Sequence, residues 1–498
     1  MTLRRAVILP GVLIVVSIAA IIGVAALSRT DAHQELAAAS IGSMQSRSLA
    51  WSGVLAAQSQ LFASRDRILA GEDPTLVTTW STSVSGGTGI VRLLPFGDPE
   101  SETPLYFEFE SAKLDANMIS EDALSKLDGL GQDLSAKIIT ARAGGFQCVE
   151  AIAAVEGMTD EQLFGPMRDA EGPVARRGLL QSLTTFAFDP NITAGIGESQ
   201  EAGQPRIPIG TPWSEQFAGV VTQRCGDAAA QALSQIAGGK SSIVLESDLL
   251  RALKSKGVSA TMWGTVLDTV CVSDDMFRIG KTDINRADAS VLALLPGFDE
   301  DIASKVVAAR AGLPSAKRLD LTWILSEGLL DEERFLQAVD HIAVRSTQFR
   351  VRVEAGVRVD DSRDDDNEGQ EASAENLDRA VILEAVIDIA GDVARIAYLR
   401  DVTHLQSSRR LAREVELRED DESDSDSRGV VIQTPSDGSD FDSATMEMES
   451  DDSAPDPSLP DVEDTLEEAD VRQPQVDESG PPKLMDRRIG RWKAPSRS

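Results

Sequence analysis

The residues best able to do chemistry lie in two turns. Asp299, Glu300 and Asp301 are three consecutive carboxylates. They are oxygen ligands of the kind Ca²⁺ prefers, but they lack the alternating spacing of a calcium loop and read first as a solvated acidic turn. The second turn, Gly129-Leu130-Gly131, has the glycines that would bring backbone N–H groups close to a phosphate. Asp128 and Asp133 flank it, and an acidic rim repels a nucleic-acid backbone. Elsewhere the signals for catalysis are sparse. The three His are scattered, and the three Cys form no CxxC pair, which leaves no zinc site or disulfide framework. Asp and Glu are abundant, yet no spacing singles out a catalytic pair, and neither a Ser-His-Asp pattern nor a phosphate loop is present. The expectation is a protein that is not an enzyme.

The elements that carry these turns belong to a long, acidic chain. It has 498 residues, 48 Lys+Arg against 81 Asp+Glu, and a net charge of -33. That length allows several domains. A dedicated nucleic-acid binder would carry a basic footprint instead. Apolar residues make up 42% of the chain, enough for a packed core. The charge is concentrated at the end: Glu419 to Ser498 holds 23 acidic and 8 basic residues. This segment is rich in Asp, Glu, Ser and Pro and too poor in apolar residues to fold, so a disordered tail is expected. Its last residues turn basic around Trp492.

The N-terminus carries an anchor. Arg4 and Arg5 precede an uncharged apolar run from Ala6 to Leu27. About 20 such residues cross the hydrocarbon core as a helix, and the arginines favour a cytoplasmic N-terminus. A cleaved secretory signal would have a shorter apolar region of about 7–15 residues. From Asp31 to Leu69 the chain contains no Pro, and Ile41, Met44, Trp51, Leu55 and Phe62 recur at helical steps. The spacing predicts that the membrane helix continues outside the bilayer as an amphipathic helix. Gly71 and Pro74 are expected to end it.

The middle of the chain contains a repeat. Lys113–Gly144 and Lys281–Gly312 align without a gap at an offset of 168. They share Asp115/Asp283, Asn117/Asn285, Leu124/Leu292, Gly129/Gly297, Lys137/Lys305 and Arg142/Arg310. Each copy reads as helix, tight turn, helix. Ser120 and Asp288 are suited to cap the first helix, and Gly129 and Gly297 to end it in a left-handed turn. Leu134-Ile138-Ile139 and Ile302-Val306-Val307 mark the buried side of the second helix. This resembles the helix-hairpin-helix motif, although copy two has Gly297-Phe298-Asp299 where copy one has Gly-Leu-Gly. Between the copies the pattern is mostly helical, with a long loop from Ile192 to Thr211. Cys148, Cys225 and Cys271 allow either one disulfide and a free thiol or buried reduced thiols.

Strands flank this block. Gly89–Leu94 and Leu105–Glu110 precede it, and Gln348–Val359 follows it. In the last, Phe349, Val351 and Val353 alternate with Arg350, Arg352 and Glu354, which suits a half-buried antiparallel strand. Arg379–Leu399 supplies two more, with a turn near Gly391-Asp392. The fold class expected is α+β: an N-terminal transmembrane and amphipathic helix packed on an antiparallel sheet, with a large helical insertion holding two hairpins.

Taken together the features resemble general secretion pathway protein K, the large minor pseudopilin of type II secretion. The likeness rests on Gln45–Gly53 in the helix, Phe107–Asn117 at the entry to the insertion, Thr282–Arg310, and Val344–Phe349 at the return to the sheet. The resemblance implies a pilin-like organisation. Residues 1–6 would be a cytoplasmic leader, 7–27 the membrane helix and 28–70 its periplasmic continuation. The sheet would occupy 74–112 and 346–405, the inserted helical domain 113–345 and the acidic tail 406–498. It also implies a subunit at the tip of a pseudopilus that primes assembly and supports export of folded periplasmic proteins. Its partners would be the I- and J-class minor pseudopilins, and it would sit in the inner membrane with the bulk of the chain periplasmic. A prepilin peptidase would cleave between Ala6 and Val7 and methylate the new N-terminus. The leader of the family normally ends in Gly, so Ala6 departs from the pattern, and Gly11 offers a second place to cut. From Val7 the fifth mature residue is Gly11, in keeping with a class that lacks the usual pilin Glu. No cofactor is required; calcium is a possibility that comes with the resemblance, and no nucleic acid is expected. The alternatives are a membrane-anchored helix-hairpin-helix DNA receptor of the competence type and an export-anchored hydrolase.

Overall fold

In the computed structural model the described residues are 8–84, 87–96, 104–127, 130–165, 178–196, 202–238, 243–358 and 377–404. Ala6, Val7, Gly129 and the acidic tail from residue 406 lie outside them. Helix α1 runs unbroken from Ile8 to Ala63. Its 56 residues correspond to about 84 Å at 1.5 Å per residue. Val12–Thr30 is long and apolar enough to cross a membrane, and it is the one such helix among the described residues. The helix stops before the expected Gly71: a short helix follows at Arg65–Leu69, and Gly71, with φ of +81°, makes the turn that leaves it.

α1 lies across one antiparallel sheet. Its strands are β1 (Thr79–Val84), β2 (Gly87–Leu94), β3 (Glu108–Phe109), β4 (Gln348–Arg358), β5 (Asp378–Asp388) and β6 (Arg395–Asp401). Their order is β1-β2-β4-β5-β6, with β3 paired to the start of β4. Ala50, Val54, Ala57 and Leu61 of α1 close a core with Val91, Leu93, Val351, Val353, Leu383, Ala385 and Ile387. Two expectations need correction. The strand expected at Leu105–Glu110 is only two residues long, because Glu110–Ala112 turns into a 3-10 helix that starts the insertion. β4 is not half-buried, since Arg350 and Glu354 on its polar face are buried as well as Phe349 and Val353. Charge pairing on that face, described below, makes this burial tolerable.

Between β3 and β4 the chain builds a second core, mostly helical in character, from Leu114 to Val344. Most of its helices are short. The longest is Glu215–Ala237, and Gly226 kinks it. Two-residue parallel strand pairs staple the repeat: Leu114–Asp115 pairs with Leu183–Thr184, and Thr282–Asp283 pairs with Ile342–Ala343. Cys148, Cys225 and Cys271 are all free. Burial pushes the Cys225 and Cys271 thiols above their usual range, so both are neutral and buried.

Candidate functional site

The face of α1 turned to the sheet is made of small residues. Ser46, Ala50, Gly53, Val54, Ala57 and Leu61 are buried there. A Cβ at Gly53 would collide with Val91 and lie 2.6 Å from Val353. Helix and sheet approach so closely that only glycine fits. The large apolar residues point the other way. Ile41 is 66% exposed and Met44 71%; Leu36, Trp51 and Leu55 are exposed too. The stripe expected to pack on the globular part is therefore corrected: only Phe62, at its end, rests against the core. The outer face of α1 from Leu36 to Leu55 is a ridge of large side chains that no described residue covers, separated from the apolar span at Val12–Leu27 by the polar stretch 28–35.

The two hairpins share one internal bracing. Asp115 accepts a hydrogen bond from Asn117 N (2.8 Å), and Asp283 accepts one from Asn285 N (2.9 Å). Arg142 donates from the end of its helix to the carbonyls of Ala116 and Ile119. Arg310 donates to the equivalent Ile284 (2.9 Å) and Ala287 (2.6 Å). Asn117 grips the backbone of Phe146 through both amide atoms, whereas Asn285 Nδ2 donates to the carbonyls of Arg318 and Val344. In both copies the second carboxylate oxygen, Oδ2, is buried without a protein hydrogen-bond partner. Burial accordingly raises Asp115 to about 7 and Asp283 to about 6.

The turns differ. In copy one it is Gly131 that has positive φ (+67°), at the first residue of Gly131–Ala141. In copy two it is Gly297 (+80°), packed against the Arg334 carbonyl, while Asp299 is extended and caps the next helix. Asp299 accepts from Ile302 N (2.9 Å) and pairs with Arg334 at 2.8 Å; Asp301 pairs with Lys305 at 2.5 Å. Among the described residues no group of three or more His, Cys, Asp or Glu converges to hold a metal. Asp299 thus caps and pairs, Asp301 pairs, and the three acidic residues do not gather around a common point.

Two buried ion clusters went unseen in the sequence. On the far face of the sheet Arg350 lies between Glu110 (2.5 Å) and Glu384 (2.6 Å), and Arg352 and Arg400 also reach Glu384. Burial pushes the Glu110 carboxyl up, but Arg350 and Lys113 more than offset it and hold it below the usual range. Glu384 is likewise held well down by its three arginines against the effect of burial. Inside the insertion, Arg278 bridges Asp189 and Glu246, and Lys281 also pairs with Glu246. Burial raises Glu246, yet these two cations bring it down to about 2. Arg345, just before β4, donates to the carbonyls of Ile192 and Thr193. These partners are scattered along the chain, so no local spacing announces them.

Comparison with known proteins adds two findings. The helix-hairpin-helix motif family matches residues 110–164, which is the first hairpin with its flanks. Among solved structures, the chain is similar to one in the crystal structure of the GspK-GspI-GspJ complex from the enterotoxigenic Escherichia coli type 2 secretion system. The identity is 13%, with 75% of this chain and 99% of that chain covered, at a TM-score of 0.25. A likeness at that score carries no functional argument. No curated protein matches the chain. The chain has a mixed fold of helix and antiparallel sheet, with an apolar N-terminal helix and a helix-hairpin-helix motif.

Proposed function

We propose that this chain is a K-class minor pseudopilin. It acts at the tip of a type II secretion pseudopilus, primes its assembly with I- and J-class subunits, and supports export of folded periplasmic proteins. The observation that carries the reading is α1. One unbroken helix has a lipid-length apolar half, then a small-residue face locked to an antiparallel sheet and an opposite ridge of large apolar residues left uncovered. The uncovered ridge has the character of a contact surface for neighbouring helices, because contiguous exposed apolar surface marks an interaction site. The helical insertion between β3 and β4 adds the bulk expected of a terminal subunit. In this reading the N-terminus is cytoplasmic, a prepilin peptidase cuts between Ala6 and Val7, and the inner membrane holds the subunit until assembly. Neither an enzymatic activity nor a required cofactor belongs to the proposal.

The motif match at residues 110–164 is compatible with one rival, a membrane-anchored DNA receptor, without favouring it. Asp133 near the first turn and Asp299, Glu300 and Asp301 at the second speak against phosphate binding there. Two measurements decide. Intact mass and N-terminal sequencing of protein from native membranes should show a methylated start at Val7, and the chain should co-purify with I- and J-class partners. An unprocessed Met1 together with a low-salt gel shift on DNA would move the assignment to the receptor.

A further inference from the structure

We infer that the cavity beside Arg206 is a binding site for a small monovalent anion, a halide or a short carboxylate. Arg206 is a buried guanidinium, its side chain only 7% exposed. Its nearest carboxylates, on Asp189 and Asp268, both stand at 3.7 Å, beyond hydrogen-bond reach. Its Nε and Nη1 are buried and meet no acceptor in the protein.

The two carboxylates are committed elsewhere. Asp189 is taken by Arg278. Asp268 accepts the backbone N–H groups of Ala194, Gly195 (3.1 Å) and Ile196 (3.1 Å), which close the loop after Asn191. Neither can turn to Arg206 without leaving another buried donor unmatched.

Arg206, Arg278 and Asp268 line a small, partly open cavity whose other walls include Leu267, Leu321 and Ile196. Apolar walls strengthen a guanidinium–anion contact by keeping the local dielectric low. The planar fork suits a halide in its notch or a carboxylate across two N–H groups. Burial, helped by the like charge of Arg278, brings the Arg206 guanidinium down to about 10, so it remains a cation at neutral pH.

The test uses the full chain in detergent. Melting is followed in chloride, bromide, acetate or gluconate at one ionic strength; gluconate serves as the anion too large to enter. The expected result is a saturable rise of several degrees with the three small anions over gluconate. Crystals grown in bromide should show an anomalous peak against Arg206. Arg206→Met should abolish the anion dependence. Ile196→Trp, which keeps the guanidinium and blocks the cavity wall, should abolish it too, and it carries the test if the first variant fails to fold. Equal melting in chloride and gluconate, or a water where the bromide peak should be, overturns the assignment.

Discussion

Asp115 and Asp283 show how one residue type, repeated at an offset of 168, is turned into a buried acid twice over. Each gives one oxygen to a backbone N–H and hides the other. The folded chain holds these protons more tightly than the unfolded chain, where an Asp titrates near 3.8. Their stabilising contribution is therefore complete below about pH 4. It is lost as pH rises through about 6 for Asp283 and about 7 for Asp115. Thermal melting of the whole protein should fall between pH 5 and pH 8, and the double variant Asp115→Asn with Asp283→Asn should flatten that fall. At about 1.4 kcal/mol per pKa unit the difference is on the order of a few kcal/mol. Arg350 belongs to the same scale. Arg350→Met leaves Glu110 and Glu384 buried without their central cation and should cost roughly 3–5 kcal/mol in denaturant unfolding. Asp115, Asp283 and the two hairpin arginines were visible in the sequence as shared positions, though not their role. Asp189, Arg206, Glu246 and Arg278 were not visible at all, because the partners of a buried ion cluster meet only in the finished fold.

At the scale of elements, periodicity located α1, the hairpins and the long strands, but it misjudged which side of α1 faces inward. A 3.6-residue stripe of large apolar residues marks a helix face that seeks apolar company. It does not say whether that company is the same chain. Here the sheet claims the small residues and the stripe is left outward. Gly53 tests this arrangement. Gly53→Leu forces α1 away from Val91 and Val353 and should destabilise the protein by about 1–3 kcal/mol or more. The hairpins offer a matched pair of tests. Arg142→Ala and Arg310→Ala each remove two hydrogen bonds from a charged donor to carbonyls of the segment that leads into the first helix of the hairpin. Each should cost roughly 1.5–3 kcal/mol in chemical denaturation. Similar losses would show that the two copies are braced alike despite their different turns. Of the sheet, β1 was not anticipated, because in TWSTSV only Trp80 and Val84 mark the inner face and Thr82 between them weakens the alternation.

For the whole molecule, the outward ridge separates folding from assembly. Ile41→Asp with Met44→Asp touches exposed positions and should change stability by no more than about 0.5 kcal/mol. Under the proposed function the same variant should lose co-purification with I- and J-class partners, as measured by pull-down from membranes. Loss of both folding and binding would instead mean that the ridge packs inside the subunit.

The sheet closes in an order set by the chain. Leu61 of α1 is covered by strands that begin at Phe349, roughly 290 residues later, and the whole insertion must be made first. At about 5–20 residues per second of synthesis, that interval lasts on the order of 15–60 s. Throughout it the small-residue face of α1 has only the early strands β1 to β3 to pack on and, in the proposed orientation, stands just outside the bilayer. The first segment to be anchored is thus among the last to be sheltered, and a periplasmic holdase that engages α1 would have its opportunity within that interval.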